Sequence, residues 1–262
     1  MSDDQVADQI AAASSSDAPK MPSPLEGSIP LLRGLHSATT DEWHDTAVVR
    51  ELNGADEEAL TQLAKKKDLG YTEYMTGILE RAVVSIGSLP AKGVIDKLIL
   101  PDRDVLFLAI VKATYGMERE VRARCPECKE PQSLVLELDE DFKVEGMGRD
   151  WRTPATVELS KGTVEFRYPN GEDTRYATGE SADNVAHLNT LIIARCVISS
   201  ATFEENVEWA RDLSIPDRRK MDDAIMSSME GVGPQLGEVD TRCSECKAPV
   251  SYTMDWVSLL LS

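Results

Sequence analysis

The cysteines are the residues of this chain whose spacing most clearly predicts chemistry. Four of the five stand as two CxxC pairs inside nearly identical stretches, RCPECKEPQS at 124–133 and RCSECKAPVS at 242–251. A CxxC pair at the tip of a hairpin directs two thiolates at one point, which is half of a tetrahedral zinc site. Because two such pairs fill every position around a zinc ion, we predict one structural zinc per chain. Its predicted ligands are Cys125, Cys128, Cys243 and Cys246.

Other chemistry of the paired thiols has less support in the sequence. A rubredoxin-like iron site usually has glycine after the second cysteine of each pair, whereas this chain has Lys129 and Lys247 there. A lysine beside a doubly negative zinc–thiolate centre partly neutralises it, which favours zinc. Thioredoxin-type chemistry needs a CxxC pair at a helix start in a βαβ unit, and neither pair has that setting. Iron, disulfides and metal-free thiols remain the alternatives, with an oxidoreductase as the corresponding function.

The elements that must position these cysteines are repeated as well. Four blocks of similar sequence occur in the same order in both halves of the chain, and the block before each CxxC pair recurs at an offset of 115 residues. This pattern predicts a tandem duplication that spans 46–133 and 163–251. The predicted fold class is α+β, as a pseudo-two-fold domain. Each half is expected to contain a strand, helices and a β-hairpin with a CxxC zinc knuckle.

Local signals place the elements within each half. Alternating stretches that end in Asn-Gly predict strands at 46–54 and 163–171. An apolar stripe at helical spacing predicts a helix over 78–86. Two later helices are expected at 101–116 and 216–231, because each starts at proline and ends at glycine.

Strands are predicted on both sides of each CxxC pair. They cover 118–125 and 131–138 around the first pair, and 237–243 and 249–256 around the second. The fifth cysteine, Cys196, stands alone in an apolar stretch, so we interpret it as a small buried hydrophobic residue.

The predicted domain organisation places the two repeats in one unit held together by zinc. A disordered acidic arm is expected over 1–42, because few bulky apolar residues occur there. An alternative is that the arm docks through Ile29, Leu31 and Leu32. The first repeat is placed at 43–138, a linker at 139–162 and the second repeat at 163–262. Within the linker, Trp151 is a candidate contact for a partner protein, and packing of the indole onto its own domain is the alternative.

Charge and motifs exclude several classes of function. The formal net charge of −18 argues against nucleic acid as a partner, because phosphate binding depends on Lys and Arg. Nothing in the sequence resembles a secretory signal or a membrane-spanning run. The chain lacks the P-loop, HExxH and GxSxG motifs. Its histidines, His36, His44 and His187, are scattered, and we therefore predict that the protein is not an enzyme.

Several stretches together resemble a known family. ELNGADEEAL, PDRDVLFLAIVKATYG, RARCPECKEP and TRCSECKAPV are similar to motifs of the baseplate hub assembly proteins of T-even-like tailed bacteriophages. The resemblance runs from Thr46 onward and leaves out the acidic N-terminal arm. It implies a non-enzymatic role in building the hub of the tail baseplate, in the host cytoplasm and in the virion tail. The implied partners are other phage tail proteins.

A zinc-ribbon module that acts on nucleic acid or transcription machinery is the alternative function. Arg124, Lys129, Arg242 and Lys247 lie next to the cysteines, as such a module would require. Against the net charge of −18, these four cations are better interpreted as local charge balance.

Overall fold

The computed structural model describes residues 28–66, 70–181, 183–234, 238–253 and 259–260. Its helices are α1 (Gly54–Ala64), α2 (Tyr71–Ala82), α3 (Leu100–Tyr115), α4 (Gly171–Ser181), α5 (Val185–Cys196), α6 (Phe203–Asp212) and α7 (Ile215–Ser227). Its strands are β1 (Ile29–Ser37), β2 (Glu42–Val49), β3 (Val83–Ile86), β4 (Leu89–Pro90), β5 (Glu118–Arg124), β6 (Pro131–Glu137), β7 (Val144–Glu145), β8 (Ala155–Leu159), β9 (Gly162–Phe166), β10 (Gly233–Pro234), β11 (Glu238–Arg242) and β12 (Pro249–Thr253). The protein is therefore a mixed α+β structure with small antiparallel sheets. Within the described residues, none of the helices combines the length and apolar character needed to cross a membrane.

The first half of the chain forms a four-stranded antiparallel sheet that packs against helices. The strand order is β1-β2-β3-β4, and α3 contacts β1 and β2. Ten residues of α3 are buried, as expected for a helix that is apolar around most of its circumference. The helix therefore lies at the centre of the largest apolar cluster of the described residues.

The predicted helix over 78–86 was wrong for its second part. Helix α2 ends at Ala82, and the following residues form strand β3, which pairs with β2. Val83 and Val84 are β-branched and fit a strand better than a helix. Gly87 then has a φ of +53°, which allows the tight turn into β4.

The predicted disordered arm over 1–42 was wrong for its last part. Strand β1 lies inside this range and pairs with β2. Leu31 and Leu35 are only 4% and 7% exposed, so their burial contributes stability that offsets the ordering entropy of the segment. The structure has the alternative that the sequence left open, in which this segment docks onto the domain. Residues 1–27 lie outside the described residues.

A buried carboxylate fixes the position of β1. Asp102, near the start of α3, accepts hydrogen bonds from the backbone N–H groups of Leu32 at 2.6 Å and Gly34 at 2.9 Å. A carboxylate that is fully removed from solvent needs such donors, because an unpartnered buried charge is costly. The first strand and the central helix are therefore joined by hydrogen bonds as well as by apolar contacts.

Before its cysteine hairpin, the second half contains a two-stranded hairpin and four helices. Strands β8 and β9 pair over five residues each, and α7 contacts β8. Strand β8 lies within the predicted linker at 139–162, and the predicted boundary at 163 falls within the hairpin. The physical unit therefore begins no later than β8, because a hairpin strand cannot be separated from its hydrogen-bonded partner.

The two glycine helix ends that the sequence predicted have different outcomes. Gly116 follows α3 with a φ of +89° and accounts for its end, as predicted. Helix α7 ends at Ser227, so the predicted end at Gly231 was wrong. The hydroxyl of Ser228 donates to the carbonyl of Ile225 at 2.6 Å, which stabilises a helix end one turn earlier.

Candidate metal centre

Two β-hairpins present the cysteines at their tips. The ladder of β5 and β6 ends at the pair Arg124–Pro131, and the ladder of β11 and β12 ends at Arg242–Pro249. The first cysteine of each pair directly follows the last paired arginine. Among the described residues, the strands predicted around both CxxC pairs are confirmed.

The turn at each tip has the same backbone conformation. The N–H of Lys129 donates to the carbonyl of Cys125 at 3.0 Å, and the N–H of Lys247 donates to that of Cys243 at 3.1 Å. The two lysines have φ values of +64° and +61°, a conformation that normally favours glycine. The Nζ of Lys129 returns to the carbonyl of Pro126 at 2.5 Å, and Lys247 makes the matching contact. These contacts offset part of the backbone strain.

The four thiols converge from the two hairpins. The sulfurs of Cys125 and Cys246 lie 3.8 Å apart, and those of Cys128 and Cys243 lie 3.6 Å apart. All four lie within 4.8 Å of one another. A tetrahedral zinc with sulfur at about 2.3 Å has ligand–ligand distances of about 3.8 Å. These separations far exceed the length of a disulfide, and all four thiols are free.

The backbone of the turns favours a thiolate at one of these positions. The backbone N–H of Cys246, followed by that of Glu245, lowers the pKa of the Cys243 thiol to about 7. The backbone N–H of Glu130 favours the thiolate of Cys128 in the same way. Desolvation and hydrogen bonds with the three other thiols outweigh this effect and raise the pKa of Cys128 to about 12. Four sulfurs this close cannot all ionise unless a cation neutralises them, so the donor set fits a metal ion.

The four cysteines differ in their exposure to solvent. Cys125 and Cys243 are fully buried and pack with Val250 and the ring of Tyr252. Cys246, in contrast, is exposed. An ion could therefore enter from the side of Cys246, while the apolar side protects the thiolates from solvent.

A polar contact between the hairpins lies beside the thiols. The side-chain carbonyl of Gln132 accepts hydrogen bonds from the backbone N–H of Ser244 at 2.9 Å and from its hydroxyl at 3.0 Å. Gln132 is only 8% exposed, so the contact is shielded from water. Sequence analysis missed this pair, because the two residues differ between the similar stretches. Gln132 aligns with Val250, and Ser244 aligns with Pro126. The only available signal was that both residues adjoin the cysteine stretches.

Trp151 lies in the interior, contrary to its prediction as a partner contact. It is 1% exposed, its Nε1 donates to the carbonyl of Gly146 at 3.0 Å, and its ring meets that of Tyr168 edge-on at 5.0 Å. Its neighbours in sequence are polar, which suggested a surface loop. The loop instead folds back and buries the indole, so Trp151 offers no surface to a partner.

The remaining candidates stay apart from the thiol cluster. Cys196 is fully buried at the end of α5, and burial raises its pKa to about 12, so it behaves as the predicted apolar residue. His36 contacts Asp41 and Trp43 in the hairpin of β1 and β2. The structure therefore brings together the four predicted cysteines and adds Gln132 and Ser244 beside them.

Comparison with known families identifies the class of protein. The sequence model of the family described as T4 bacteriophage base plate protein matches residues 36–258. The chain belongs to this family. Searches of curated proteins and of solved structures gave no match. The resemblance predicted from the sequence motifs is confirmed at the level of the family, and the match includes both hairpins of this baseplate protein.

Proposed function

We propose that this baseplate protein is a non-enzymatic structural or assembly component of the tail baseplate hub that binds other tail proteins. The family supports the location, and the cluster of four thiols supports the structural role. Four thiolates occupy all four coordination positions of a zinc ion and leave none for a substrate or an activated water. The protein would act in the host cytoplasm during assembly and then in the virion tail.

We also propose that a single zinc ion holds the two halves of the chain together. Each hairpin belongs to a different half, and neither can supply more than two sulfurs. A bound zinc would supply charge neutralisation and a rigid link between the hairpins. The convergence of all four sulfurs is the observation on which this proposal depends.

The proposed tandem duplication is supported by a matching Arg–Asp–Arg network in each half. In the first half Arg50 binds Asp56 through two hydrogen bonds, and Arg81 lies 3.7 Å from the same carboxylate. In the second half the carboxylate is that of Asp173, with Arg167 binding through two hydrogen bonds and Arg195 through one. The two carboxylates lie at the same position, third in α1 and in α4. These residues belong to the stretches whose similarity indicates the repeat, and what the structure adds is that they make matching contacts in both halves.

Removal of one ligand tests the zinc. A Cys243→Ser variant should lose bound zinc and melt more than about 10 °C below the wild type, because structural zinc contributes directly to folding free energy. Elemental analysis of the purified protein and thermal unfolding would measure the two effects. Wild-type protein without zinc, or a variant that keeps its zinc, would contradict the proposal.

Cys196→Ser is the matched control for this experiment. It replaces another buried cysteine with the same residue but leaves the proposed ligands in place. We expect it to be destabilised, because a buried hydroxyl replaces an apolar thiol, and yet to contain one zinc per chain. Loss of zinc from both variants would show that unfolding, and not ligand removal, explains the result.

The role in the baseplate is tested in infected cells. An affinity-tagged copy should recover other tail proteins, and mass spectrometry of purified virions should find the protein in tails. Recovery of nucleic acid or polymerase subunits would instead favour the zinc-ribbon alternative. The structure offers little support for that alternative, because Arg124 and Arg242 donate to backbone carbonyls of their own turns.

A further inference from the structure

The two halves differ at one edge of their hairpins. In the first half β3 covers the outer edge of β2, with Ala47 opposite Ile86, and the carbonyl of Thr46 accepts the N–H of Gly87 at 2.7 Å. In the second half the corresponding strand is β9. Within the part of the chain that the structure describes, the outer edge of β9 makes only an isolated bridge, between Phe166 and Val197.

Backbone hydrogen bonds show how far the outer edge of β9 is paired with the segment that follows α5. The N–H of Arg167 donates to the carbonyl of Cys196, and the N–H of Ile198 donates to the carbonyl of Glu165, both at 2.9 Å. By the alternation of an antiparallel ladder, Thr163 and Glu165 direct their other backbone groups to the same edge. Among the described residues, no backbone group pairs with the N–H of Glu165 or with the N–H and carbonyl of Thr163 on this edge.

The chain leaves β9 because it turns into an extra helix. Where the first half continues into β3 and β4, the second half turns at Ser199, whose hydroxyl accepts the N–H of Ala201 at 3.2 Å. Thr202 then caps α6 through a capping box with Glu205. These local hydrogen bonds hold the turn in place, so among the described residues the segment that follows Ser199 does not supply the missing strand.

The open edge borders a groove of about 580 Å³ between β9 and α6. The floor of the groove includes Val164 and Trp209, and Ile198 at its wall is 44% exposed. Apolar side chains beside free backbone donors and acceptors are the two features that bind an added strand.

The rim of the groove is acidic. Glu165 and Glu205 line it, and both are exposed. Glu158 lies opposite Thr163 in the hairpin and is exposed as well. A strand that carries Lys or Arg beside its apolar residues would complement this charge, whereas a second copy of this acidic chain, with a net charge of −18, would be repelled.

We propose that the open edge of β9 is a docking site for an extended strand of another baseplate protein. The added strand pairs with the backbone of Thr163 and Glu165, places an apolar side chain against Ile198 and Trp209, and is flanked by basic residues. This inference deepens the proposed function, on which the choice of a baseplate protein as occupant rests.

A peptide copied from the first half tests the docking site. The probe is VVSIGSLP, the stretch at 83–90 that covers β2, with two lysines added at each end and a fluorescent label. We expect saturable binding to the zinc-loaded full-length protein, measured by fluorescence anisotropy. Thr163→Pro should weaken binding about tenfold, because it removes a backbone donor from the edge.

Glu158→Pro is the matched control, because it places the same ring on the opposite strand of the hairpin. Both variants lose the hydrogen bond from the Thr163 hydroxyl to Glu158, but only Thr163→Pro removes a backbone donor of the open edge. Glu158→Pro removes one acidic side chain near the edge instead, so it should weaken binding of the probe clearly less than Thr163→Pro does. Ile198→Arg, which leaves the ladder intact, should weaken binding through its charge and lost apolar contact.

Three outcomes would overturn the proposal. They are no binding to a protein that is folded and contains zinc, equal binding by Thr163→Pro, and equal binding of a probe flanked by glutamates. A dimer in sedimentation velocity that Thr163→Pro abolishes would replace the foreign strand with a second copy. None of these results would affect the zinc content or the presence of the protein in virions, which test the proposed function separately.

Discussion

Helices α3 and α7 begin with the same Pro-Asp-Arg stretch, yet they have different places in the structure. Pro101 and Pro216 each occupy the second position of their helix, where the missing N–H costs nothing. Ten residues of α3 are buried but only three of α7. Phe107 in α3 corresponds to Asp222 in α7. The shared residues therefore determine where a helix starts, and the residues that differ determine how deeply it is buried.

Truncation of one matched isoleucine in each helix should give the largest difference. Ile110 and Ile225 are 0% and 1% exposed, but Ile110 lies in the large cluster of the first half and Ile225 in a small one. We expect Ile110→Ala to cost about 4 kcal/mol and Ile225→Ala about 2 kcal/mol, because a small cluster collapses more easily around the cavity. Denaturant unfolding would measure both. Equal costs would show that the two cores are equally dense.

The Arg–Asp–Arg networks should give the next largest effects. The side chain of Asp173 is fully buried and that of Asp56 is 6% exposed, and Asp173 has the shorter contact with its second arginine. We expect Asp173→Asn to cost about 2–3 kcal/mol and Asp56→Asn about 1 kcal/mol, since loss of the carboxylate charge leaves two partly exposed arginines without their ionic partner. Thermal unfolding of both variants would test the order, and the reverse order would contradict it.

The carboxylates that follow the two prolines should respond to pH in opposite directions. Burial, opposed by the backbone N–H groups of Gly34, Leu32 and Arg33, raises the pKa of Asp102 from 3.8 to about 6. A hydrogen bond from the Ser160 hydroxyl, followed by one from its backbone N–H, lowers the pKa of Asp217. The folded protein therefore binds a proton at Asp102 more tightly than the unfolded chain does, and at Asp217 less tightly.

The sign of the pH dependence follows from these shifts. The contribution of Asp102 is full below pH 3.8 and is lost as the pH rises through about 6. Relative to Asp102→Asn, wild-type stability should therefore fall by about 2 kcal/mol between about pH 4 and pH 7. Relative to Asp217→Asn, wild-type stability should instead rise with pH, mainly below about pH 4, because the folded-state pKa of Asp217 lies below the unfolded value of 3.8. Urea unfolding at several pH values would measure both slopes, and parallel slopes would contradict the prediction.

The turns at the thiols should give the smallest effects, and these should be equal. Lys129→Gly and Lys247→Gly each remove the strain of a side chain in the left-handed conformation. Loss of the Nζ contact and the greater flexibility of the unfolded chain oppose this effect, so the free energy of unfolding should rise by at most about 1 kcal/mol. Because the two turns have the same backbone geometry, the melting temperatures of the two variants should match. A clear difference between the two melting temperatures would show that the two turns differ in strain although their φ values are similar.

Local patterns in the sequence predicted which four cysteines lie together. The CxxC pairs and the alternating residues around them predicted the hairpins, because hairpin strands depend on neighbouring residues. The repeat predicted that the hairpins would face each other. Gln132 and Ser244 could not be found in this way, since their contact depends on how two distant hairpins pack.

Failures occurred where distant packing decides the local structure. Strand β1 was predicted as disordered because its partner groups, the carboxylate of Asp102 and the edge of β2, are remote in sequence. Val83–Ile86 continues a helical apolar stripe, but pairing with β2 makes it a strand. The polar neighbours of Trp151 suggested exposure, although an interior indole needs only one acceptor for its N–H.

Leu259 and Leu260 have a consequence for the order in which the protein can fold during synthesis. They are 0% and 2% exposed within the core of the first half. Their carbonyls accept hydrogen bonds from the side chains of Arg119 and Tyr115, at sequence separations of 140 and 145 residues. A ribosome that has finished the first half has therefore not yet supplied two residues of its core. The first half must remain incomplete until the second half has been translated, so folding is expected to be slow and to involve both halves at once.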